Sequence, residues 1–323
     1  MELPRRVFLQ LAAAAAALPA TTRMASASDY PTRPVRILVG FPPGATIAAH
    51  IMAQWLSDRL GQQFIIENRP GAATNIATEA VVRAPADGYT LLAATANNAV
   101  NAAVYQKLGF SFVRDITMVA GIIRQPLVLE VNPAVPVKSV TELIASAKAD
   151  PGKITLASFG TGTLSHVTGE LFKTRAGVEM IHVPYRGAAP MVTDLLGGQV
   201  QAAFDALPTS IEHIRAGRLR ALAVTTARRA QALPEVPTMS EFLPGFEASG
   251  WIGIGAPCRT PPEIIDKLNQ EINAGLATPA INERITNLGG EPFAGSPADL
   301  ANFVVEKTEA WAKVVRAANI SAE

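Results

Sequence analysis

Residues 35–50 read VRILVGFPPGATIAAH, and this stretch contains the transition that decides the fold. The apolar run 35–39 is typical of a buried strand, and residues 47–60 place their apolar side chains on one helical face. A strand that leads through a short turn into a helix predicts a βαβ unit. The free backbone N–H groups at the start of such a helix attract an anion.

The Pro-Pro-Gly turn between these elements does not carry a nucleotide-binding motif. It contains no lysine, and it matches neither G-x-x-x-x-G-K-[ST] nor G-x-G-x-x-G. Nucleotide binding is therefore disfavoured. From this turn alone, an ordinary strand-to-helix connection and an anion site are equally well supported.

The N-terminal residues are typical of an export signal. Arg5 and Arg6 precede a short alanine-rich apolar stretch, and the small residues 25–27 suit a cleavage site. The stretch is too short for a membrane-spanning helix. We expect a signal peptide over residues 1–27 and a periplasmic location. The paired arginines suggest the twin-arginine route, and the general secretory route stays open.

The composition indicates a globular chain long enough for two ordinary domains. Hydrophobic residues make up 49% of the chain, and the formal net charge is +1. Such a small net charge argues against nucleic acid or an anionic membrane as the main partner. The single cysteine, Cys258, cannot close an internal disulfide, and its Pro-rich turn supplies no base, so we interpret it as a filler residue.

Strand-like and helix-like segments alternate along the chain, which predicts an α/β fold with a mostly parallel sheet. The predicted strands cover residues 35–39, 63–67, 89–94, 127–131, 154–158, 180–183, 202–205 and 221–225. The predicted helices cover residues 47–60, 75–83, 140–148, 164–175, 188–196, 261–276 and 296–317. Ser139 and Glu142 predict a capping box, and Gly177 predicts a helix end.

No Pro/Gly/Ser-rich linker separates two halves of the chain, so two domains would have to share crossover strands. We predict one domain from residues 28–123 plus 250–323, and a second domain from residues 124–249. A ligand would bind in the cleft between them, outside the carboxyl ends of the strands.

A second strand–loop–helix segment, SFGTGTLSH at residues 158–166, repeats the architecture of the first. Gly160 and Gly162 allow the backbone to approach a ligand closely. Hydroxyl groups are available at Thr161 and Thr163. The segment does not contain G-x-S-x-G, so a hydrolase nucleophile is poorly supported. Two such loops, one in each predicted domain, could face each other across the cleft.

Other polar residues are weaker candidates. Tyr185 offers a phenolic donor, whereas Arg186 is more often solvated in such a loop. The four histidines do not have metal-ligand spacing, so we predict neither a metal nor a cofactor. His166 is interpreted as a hydrogen-bonded structural residue. Asp205, at the end of an apolar strand, is either a cleft residue or a helix cap, and we include it among the candidate ligand-binding residues.

Several stretches, taken together and in order, carry a resemblance to a known family. They are GFPPG (40–44), IENRPGA (66–72), ADGYTL (86–91), AKADPGK (147–153), residues 166–172, HVPYRG (182–187), DLLGGQV (194–200), LPEVPT (233–238), and Trp251 with the Ala-Pro pair at 256–257. The chain resembles the Bug-type extracytoplasmic solute receptors, the periplasmic binding proteins of tripartite tricarboxylate transporters.

This resemblance implies a periplasmic binding protein type II-like fold, with two α/β domains around a central cleft, the Venus flytrap. It implies a monomer without catalytic activity that binds a small organic carboxylate and delivers it to membrane transporter subunits. By position in the family, the ligand-binding residues are Pro43, Gly44, Ala45, Thr46, Thr95, Asn97, Ser158, Gly160, Thr161, Gly162, Thr163, Tyr185 and Gly187.

The first loop departs from the family pattern. Family members usually read Pro-x-Gly-Gly-x-x-Asp before the helix, whereas this chain runs directly through Gly44-Ala45-Thr46-Ile47. A glycine and the acidic residue are absent. In the family, the acidic residue is implied to bind polar or amino groups of some ligands, so its loss disfavours amino acids as ligands.

Two other functions remain open from the residues alone. One is an exported α/β hydrolase that uses Ser165 or Ser158 with His166. Side chains at adjacent helical positions point about 100° apart, which makes Ser165 and His166 a poor proton relay. The other is a receptor that reports its ligand to a signalling system rather than to a transporter.

Overall fold

The computed structural model describes residues 30–44, 46–105 and 107–321, so the predicted signal peptide lies outside the described residues. The strands are β1 (Val35–Val39), β2 (Phe64–Asn68), β3 (Thr90–Thr95), β4 (Ile116–Val131), β5 (Thr155–Ser158), β6 (Ile181–Pro184), β7 (Ala202–Ala206), β8 (Arg220–Val224), β9 (Ser249–Pro257) and β10 (Glu291–Pro292). The helices are α1 (Ile47–Leu60), α2 (Asn75–Val82), α3 (Ala96–Val104), α4 (Phe112–Asp115), α5 (Val140–Ala149), α6 (Leu164–Ala176), α7 (Ala188–Leu196), α8 (Leu207–Arg215), α9 (Pro262–Leu276), α10 (Pro279–Asn287) and α11 (Pro297–Ala317).

The described strands form one sheet in the order β2-β1-β3-β9-β4-β7-β5-β6, and β8 and β10 also pair with β4. Pairs within the strand–helix–strand units are parallel: β1 with β2 and β3, and β5 with β6 and β7. Pairs that involve β4 or β9 are antiparallel. The α/β class is therefore confirmed, but the prediction of a mostly parallel sheet is wrong, because β4 and β9 run against their neighbours through the centre.

Strand β4 changes partners along its length. Residues 116–126 pair with β9, whereas residues 127–131 pair with β7 and β8. Pro126 lies at the change and has no N–H to donate to a ladder. The next residue is secured by Thr225, because Leu127 N donates to Thr225 Oγ1 and Thr225 N donates to Leu127 O, each at 2.9 Å.

This change of partners defines two lobes that share one strand. The first lobe contains β1, β2, β3, β9, β10 and residues 116–126 of β4. The second lobe contains β5, β6, β7, β8 and residues 127–131 of β4. The domain limits that we predicted, residues 28–123 with 250–323 and residues 124–249, stay a proposal. The partner change in β4 and the start of β9 at Ser249 support it.

Local sequence signals located several elements well. The limits of β1 and α1 are those predicted. Helix α6 ends at Gly177, which has φ 62°. At the start of α5, Ser139 Oγ accepts from Glu142 N at 3.1 Å, but the Glu142 carboxylate accepts from Lys138 N at 2.7 Å. Only the first half of the predicted capping box is therefore present.

One apolar cluster continues from the first lobe into the second. It includes Leu92 and Trp251 of the first lobe together with Leu129 and Phe204 of the second, all nearly inaccessible to solvent. Helix α11 packs Trp311 against the same cluster. Burial of this apolar surface is the main favourable contribution to folding, so the lobes are held around a common hydrophobic interior.

We expect Gly121→Ala to destabilise the fold by about 1–3 kcal/mol, the usual cost of overpacking a filled interior. A Cβ at Gly121 would lie 2.4 Å from the carbonyl oxygen of Phe293 and 2.6 Å from its Cγ. Gly109→Ala is the matched control, because its Cβ would meet only the Glu79 carboxylate, at 3.8 Å. Urea unfolding at fixed pH measures both; equal stability of the two variants would contradict this account of β4.

Candidate functional site

The loop between β1 and α1 is held by backbone contacts rather than by charge. A Cβ at Gly40 would lie 2.4 Å from Thr74 Cβ, so only glycine fits where the two segments touch. Asn68 Nδ2 donates to the Phe41 carbonyl at 2.8 Å. Thr46 is the N-cap of α1 and is buried. These contacts therefore fix the beginning of the loop, at Gly40 and Phe41.

The loop between β5 and α6 is fixed by its own hydrogen bonds and by two histidines. Thr163 Oγ1 donates to the Gly160 carbonyl at 2.6 Å. Gly162 N donates to His166 Nδ1 at 3.1 Å, and Ser158 Oγ lies 2.7 Å from His182 Nε2. These contacts hold the second loop in place without a ligand.

The two loops meet between the lobes. The rings of Phe41 and Phe159 pack edge to face with their centroids 6.4 Å apart. Asn97 Oδ1, at the start of α3, accepts from Leu164 N, the first residue of α6, at 2.7 Å. A side chain of the first lobe thus occupies one free N–H at the start of a helix in the second lobe.

A cavity of about 70 Å³ lies between the lobes at this junction. Its lining residues are Phe41, Thr46, Thr95, Ala96, Asn97, Gln125, Pro126, Leu127, Phe159, Leu164, Ala188, Asp205, Ala206, Thr209, Gly250, Trp251 and Ile252. Below we call it the central cavity. Its lining includes residues from both loops and from the segment of β4 where the strand changes partners.

Five helices begin at the wall of the central cavity. The lining residues at these helix starts are Thr46 (α1), Thr95 and Ala96 (α3), Leu164 (α6), Ala188 (α7) and Ala206 (α8). Helix N-termini carry partial positive charge and unpaired N–H groups. None of the lining residues is lysine, arginine or histidine. The cavity therefore favours an anion through backbone dipoles rather than through a cationic side chain.

Three lining residues carry a buried polar atom that has no hydrogen-bond partner in the described part of the chain. These atoms are Thr46 Oγ1, Trp251 Nε1 and Asp205 Oδ1. Buried polar atoms are almost always paired in folded proteins, so orphaned atoms at one cavity indicate missing hydrogen bonds. The Thr46 hydroxyl and the Trp251 indole N–H are donors from which a carboxylate can accept hydrogen bonds.

A second cavity lies on the other side of the Phe41–Phe159 pair, and both rings line the two cavities. Its lining includes residues 70–74 of the first lobe and Gly160, Thr161 and Thr163 of the second loop. Tyr185 also lines it, and the Tyr185 hydroxyl donates to Asp194 Oδ2 at 2.8 Å. The aromatic pair therefore divides the space between the lobes in two.

The structure distributes the predicted ligand-binding residues over these two spaces. Those that line the central cavity are Thr46, Thr95, Asn97 and Asp205. Those that line the second cavity are Gly160, Thr161, Thr163, Tyr185 and Gly187.

Four of the predicted residues lie elsewhere, and a fifth is outside the described residues. Pro43 lines neither cavity, Gly44 lines a separate pocket beside α8, and Ala45 lies outside the described residues. Ser158 is 1% exposed and bonded to His182. A Cβ at Gly162 would lie 2.9 Å from Val104 Cγ1, so this residue packs against α3 rather than lining a cavity.

Sequence reasoning assigned no binding role to Trp251, although this residue contributed to the family resemblance. Its position at the junction depends on β9, which was not among the predicted strands. The only local sequence signal for Trp251 is its position as an aromatic residue at the start of an apolar run.

A buried carboxyl pair lies directly behind the cavity wall. Ser210 Oγ is 2.7 Å from Asp205 Oδ2 and 2.8 Å from Glu130 Oε1, and both carboxyl side chains are fully buried. Burial, with the neighbouring Asp205 charge, raises the pKa of Glu130 well above its usual range. Burial raises the pKa of Asp205 to about 7, against the effect of its hydrogen bonds to Ser210 and the Ala206 backbone.

His166 and His182 stack with their ring centroids 3.9 Å apart, although they are distant in sequence. Burial lowers the pKa of both imidazoles, and in His182 the neighbouring His166 adds to burial and brings the pKa to about 3. Because the lowered pKa values favour neutral rings, the stacked His166 and His182 fit a structural role in supporting the second loop. The described residues include no group of three or more side chains positioned to hold a metal ion.

The serine–histidine pairs considered for hydrolysis are placed differently from a nucleophile and its base. Ser165 Oγ is buried and donates to the Phe204 carbonyl at 2.5 Å, away from His166. Ser158 contacts His182 instead, but it is buried and lines neither cavity. The described part of the chain likewise contains no helix with the length and apolarity to cross a membrane.

Comparison with known proteins decides the family. A family model described as "Tripartite tricarboxylate transporter family receptor" matches residues 48–320. The chain belongs to this receptor family. Protein BugT of Bordetella pertussis is 39% identical over 296 residues, which cover 90% of this chain and 91% of BugT.

Solved structures agree in fold. An R. palustris protein with adipate is 40% identical, with a TM-score of 0.87 over 90% of this chain and 99% of that one. The periplasmic binding protein BugD is 33% identical, with a TM-score of 0.85 over 91% and 100%. MatC from Rhodopseudomonas palustris with bound malate is 29% identical, with a TM-score of 0.82 over 88% and 100%. The periplasmic-binding-protein fold is confirmed, and the chain is a periplasmic solute-binding receptor.

We expect His182→Gln to reduce the loss of stability in acid. Because the folded-state pKa of His182 lies below that of an unfolded histidine, about 6.5, the unfolded chain binds more protons. Stability is therefore full above pH 6.5 and falls as the pH drops towards 3. Urea midpoints between pH 7 and pH 4 measure the loss. His50→Gln, an exposed and unstacked histidine, is the control; equal acid sensitivity of both variants would contradict this interpretation.

Proposed function

We propose that this receptor captures a small organic carboxylate in the central cavity and delivers it to a tripartite-type membrane transporter. The orphaned donors Thr46 Oγ1 and Trp251 Nε1 at one anion-favouring cavity carry this proposal. Relatives with adipate and with bound malate support the same ligand class.

Ligand capture requires movement of the lobes. A cavity of about 70 Å³ holds only a few water molecules, so a dicarboxylate needs a wider space. Because both lobes contribute to the lining, the full set of contacts exists only when the lobes are close. A ligand that binds this form better shifts the population from open to closed.

The shortened first loop narrows the ligand class. No acidic residue occurs between Gly44 and the start of α1, and burial raises the pKa of both carboxyl groups nearest the cavity, Asp205 and Glu130. An ammonium group would therefore find no acidic side chain on the first loop, and behind the cavity wall only a carboxyl pair whose ionisation burial disfavours. We therefore propose carboxylates without an amino group, and a monomeric receptor that acts without catalysis. Export by the twin-arginine route is proposed from the paired arginines alone, in residues outside the described structure.

We expect adipate or malate to raise the melting temperature by mass action, whereas aspartate and the neutral diamide of adipate do not. Thr46→Val removes one donor with little change in shape, and Trp251→Phe removes the indole N–H together with one buried ring, so circular dichroism must confirm that this variant folds. A hydrogen bond to a charged group contributes about 1.5–3 kcal/mol, so each variant should bind roughly 10- to 100-fold more weakly by calorimetry.

The control for these variants is Thr286→Val, the same substitution at a partly exposed position of α10 that lines neither cavity, which should bind as wild type does. The proposal fails if no carboxylate in the panel binds, or if the neutral diamide binds as tightly as adipate.

A further inference from the structure

A single serine hydroxyl lies between the two carboxyl groups behind the cavity wall. Ser210 Oγ lies within 2.8 Å of both Glu130 Oε1 and Asp205 Oδ2. A serine hydroxyl has one hydrogen and donates to one acceptor only. The other contact is a hydrogen bond only if that carboxyl group is protonated and donates to the serine oxygen. The geometry therefore requires at least one proton on the pair.

Among the described residues, no cationic side chain hydrogen-bonds to the pair to compensate a second negative charge. The ionisable residues of the elements that pack around the pair are His166, Glu170, Lys173 and Arg175 on α6, Asp194 on α7, Glu212, His213 and Arg215 on α8, Arg218 in the turn that follows, and Arg220 on β8. Arg220 donates to the carbonyls of Val135 and Val137. Glu212 pairs with Arg215, and Asp194 accepts from Tyr185. In the described structure none of these groups hydrogen-bonds to either carboxyl group.

The two oxygens without partners are not equivalent. Glu130 Oε2 is buried and orphaned, but Glu130 does not line the central cavity. Asp205 Oδ1 is also buried and orphaned, and Asp205 lines the cavity. An ionised Asp205 would repel a bound carboxylate in a space without a cationic side chain. A protonated Asp205 would instead donate to it.

We propose that Asp205 takes up one proton together with the ligand and donates it in a hydrogen bond to the ligand carboxylate, while Glu130 stays protonated behind Ser210. This inference rests on the proposed function of the cavity. The chain of bonds then runs in one direction: Glu130 donates to Ser210 Oγ, Ser210 donates to Asp205 Oδ2, and Asp205 Oδ1–H donates to the ligand. Every hydrogen has one acceptor, and the added proton comes from solvent.

Proton uptake makes binding pH-dependent with a defined sign. Burial raises the pKa of Asp205 to about 7, so the unliganded residue loses its proton above neutral pH. Ligand binding restores it. By linkage, the Kd for adipate should rise up to tenfold per pH unit above about pH 7 and level off below it. Calorimetry in two buffers of different ionisation enthalpy should give uptake of nearly one proton at pH 8.5.

Asp205→Asn tests the role of the proton and not only that of the fold. The Asn amide can donate to the ligand and accept from Ser210 without titrating, so binding should remain within a few-fold of wild type at pH 6 but lose its pH slope. Asp150→Asn, the same substitution at an exposed ion pair with Lys153, should keep the wild-type slope. Circular dichroism checks that each variant folds. A wild-type slope in Asp205→Asn overturns the proposal.

A ligand-free measurement separates this inference from the proposed function. Infrared spectra of the apo receptor at pH 8.5, where unliganded Asp205 has lost its proton, should show a protonated carboxyl band that Glu130→Gln removes. If adipate or malate binds but wild type shows neither this band nor proton uptake, the proton inference fails and the receptor function stands. If no carboxylate binds at any pH, both fail.

Discussion

The structure depends on one strand that serves two lobes. Strand β4 pairs with β9 over its first part and with β7 and β8 over its last part, and the change falls at Pro126, which has no N–H to donate to either ladder. The partner change places Gln125, Pro126 and Leu127 in the wall of the central cavity. The segment that joins the lobes therefore also lines the space where they meet. A movement of one lobe against the other acts directly on that wall.

The central cavity combines anion attraction with an absence of cationic side chains. Helix starts supply N–H groups and partial positive charge, and the orphaned atoms of Thr46 and Trp251 add donors of fixed position. Fixed dipoles need no desolvated partner charge, whose burial is costly. The same property makes the protonation of Asp205 important, because no neighbouring cation would compensate an ionised carboxylate. Binding of a carboxylate and protonation of Asp205 therefore depend on the same electrostatic arrangement of the cavity.

Local chemistry made much of the fold predictable. The strand–turn–helix at residues 35–60 and the helix end at Gly177 follow from short-range periodicity and backbone preference. Residues 127–131 of β4 were predicted as a strand, but residues 116–126, all of β9 and the antiparallel direction were missed. Strands β4 and β9 pair residues more than a hundred positions apart, and an apolar run does not indicate the direction of its strand. For the same reason the position of Trp251 was not predictable. Asp205 was identified from its place at a strand end, but its link to Glu130 through Ser210 exists only in the folded sheet.

The aromatic contact between the loops has a consequence for ligand length. Phe41 belongs to one lobe and Phe159 to the other, and together they form the partition between the two cavities. If the lobes separated, the two rings would move apart and the two cavities would join into one elongated space. A longer ligand would therefore hold the lobes further apart, and the distance between the two phenyl rings would report the degree of closure.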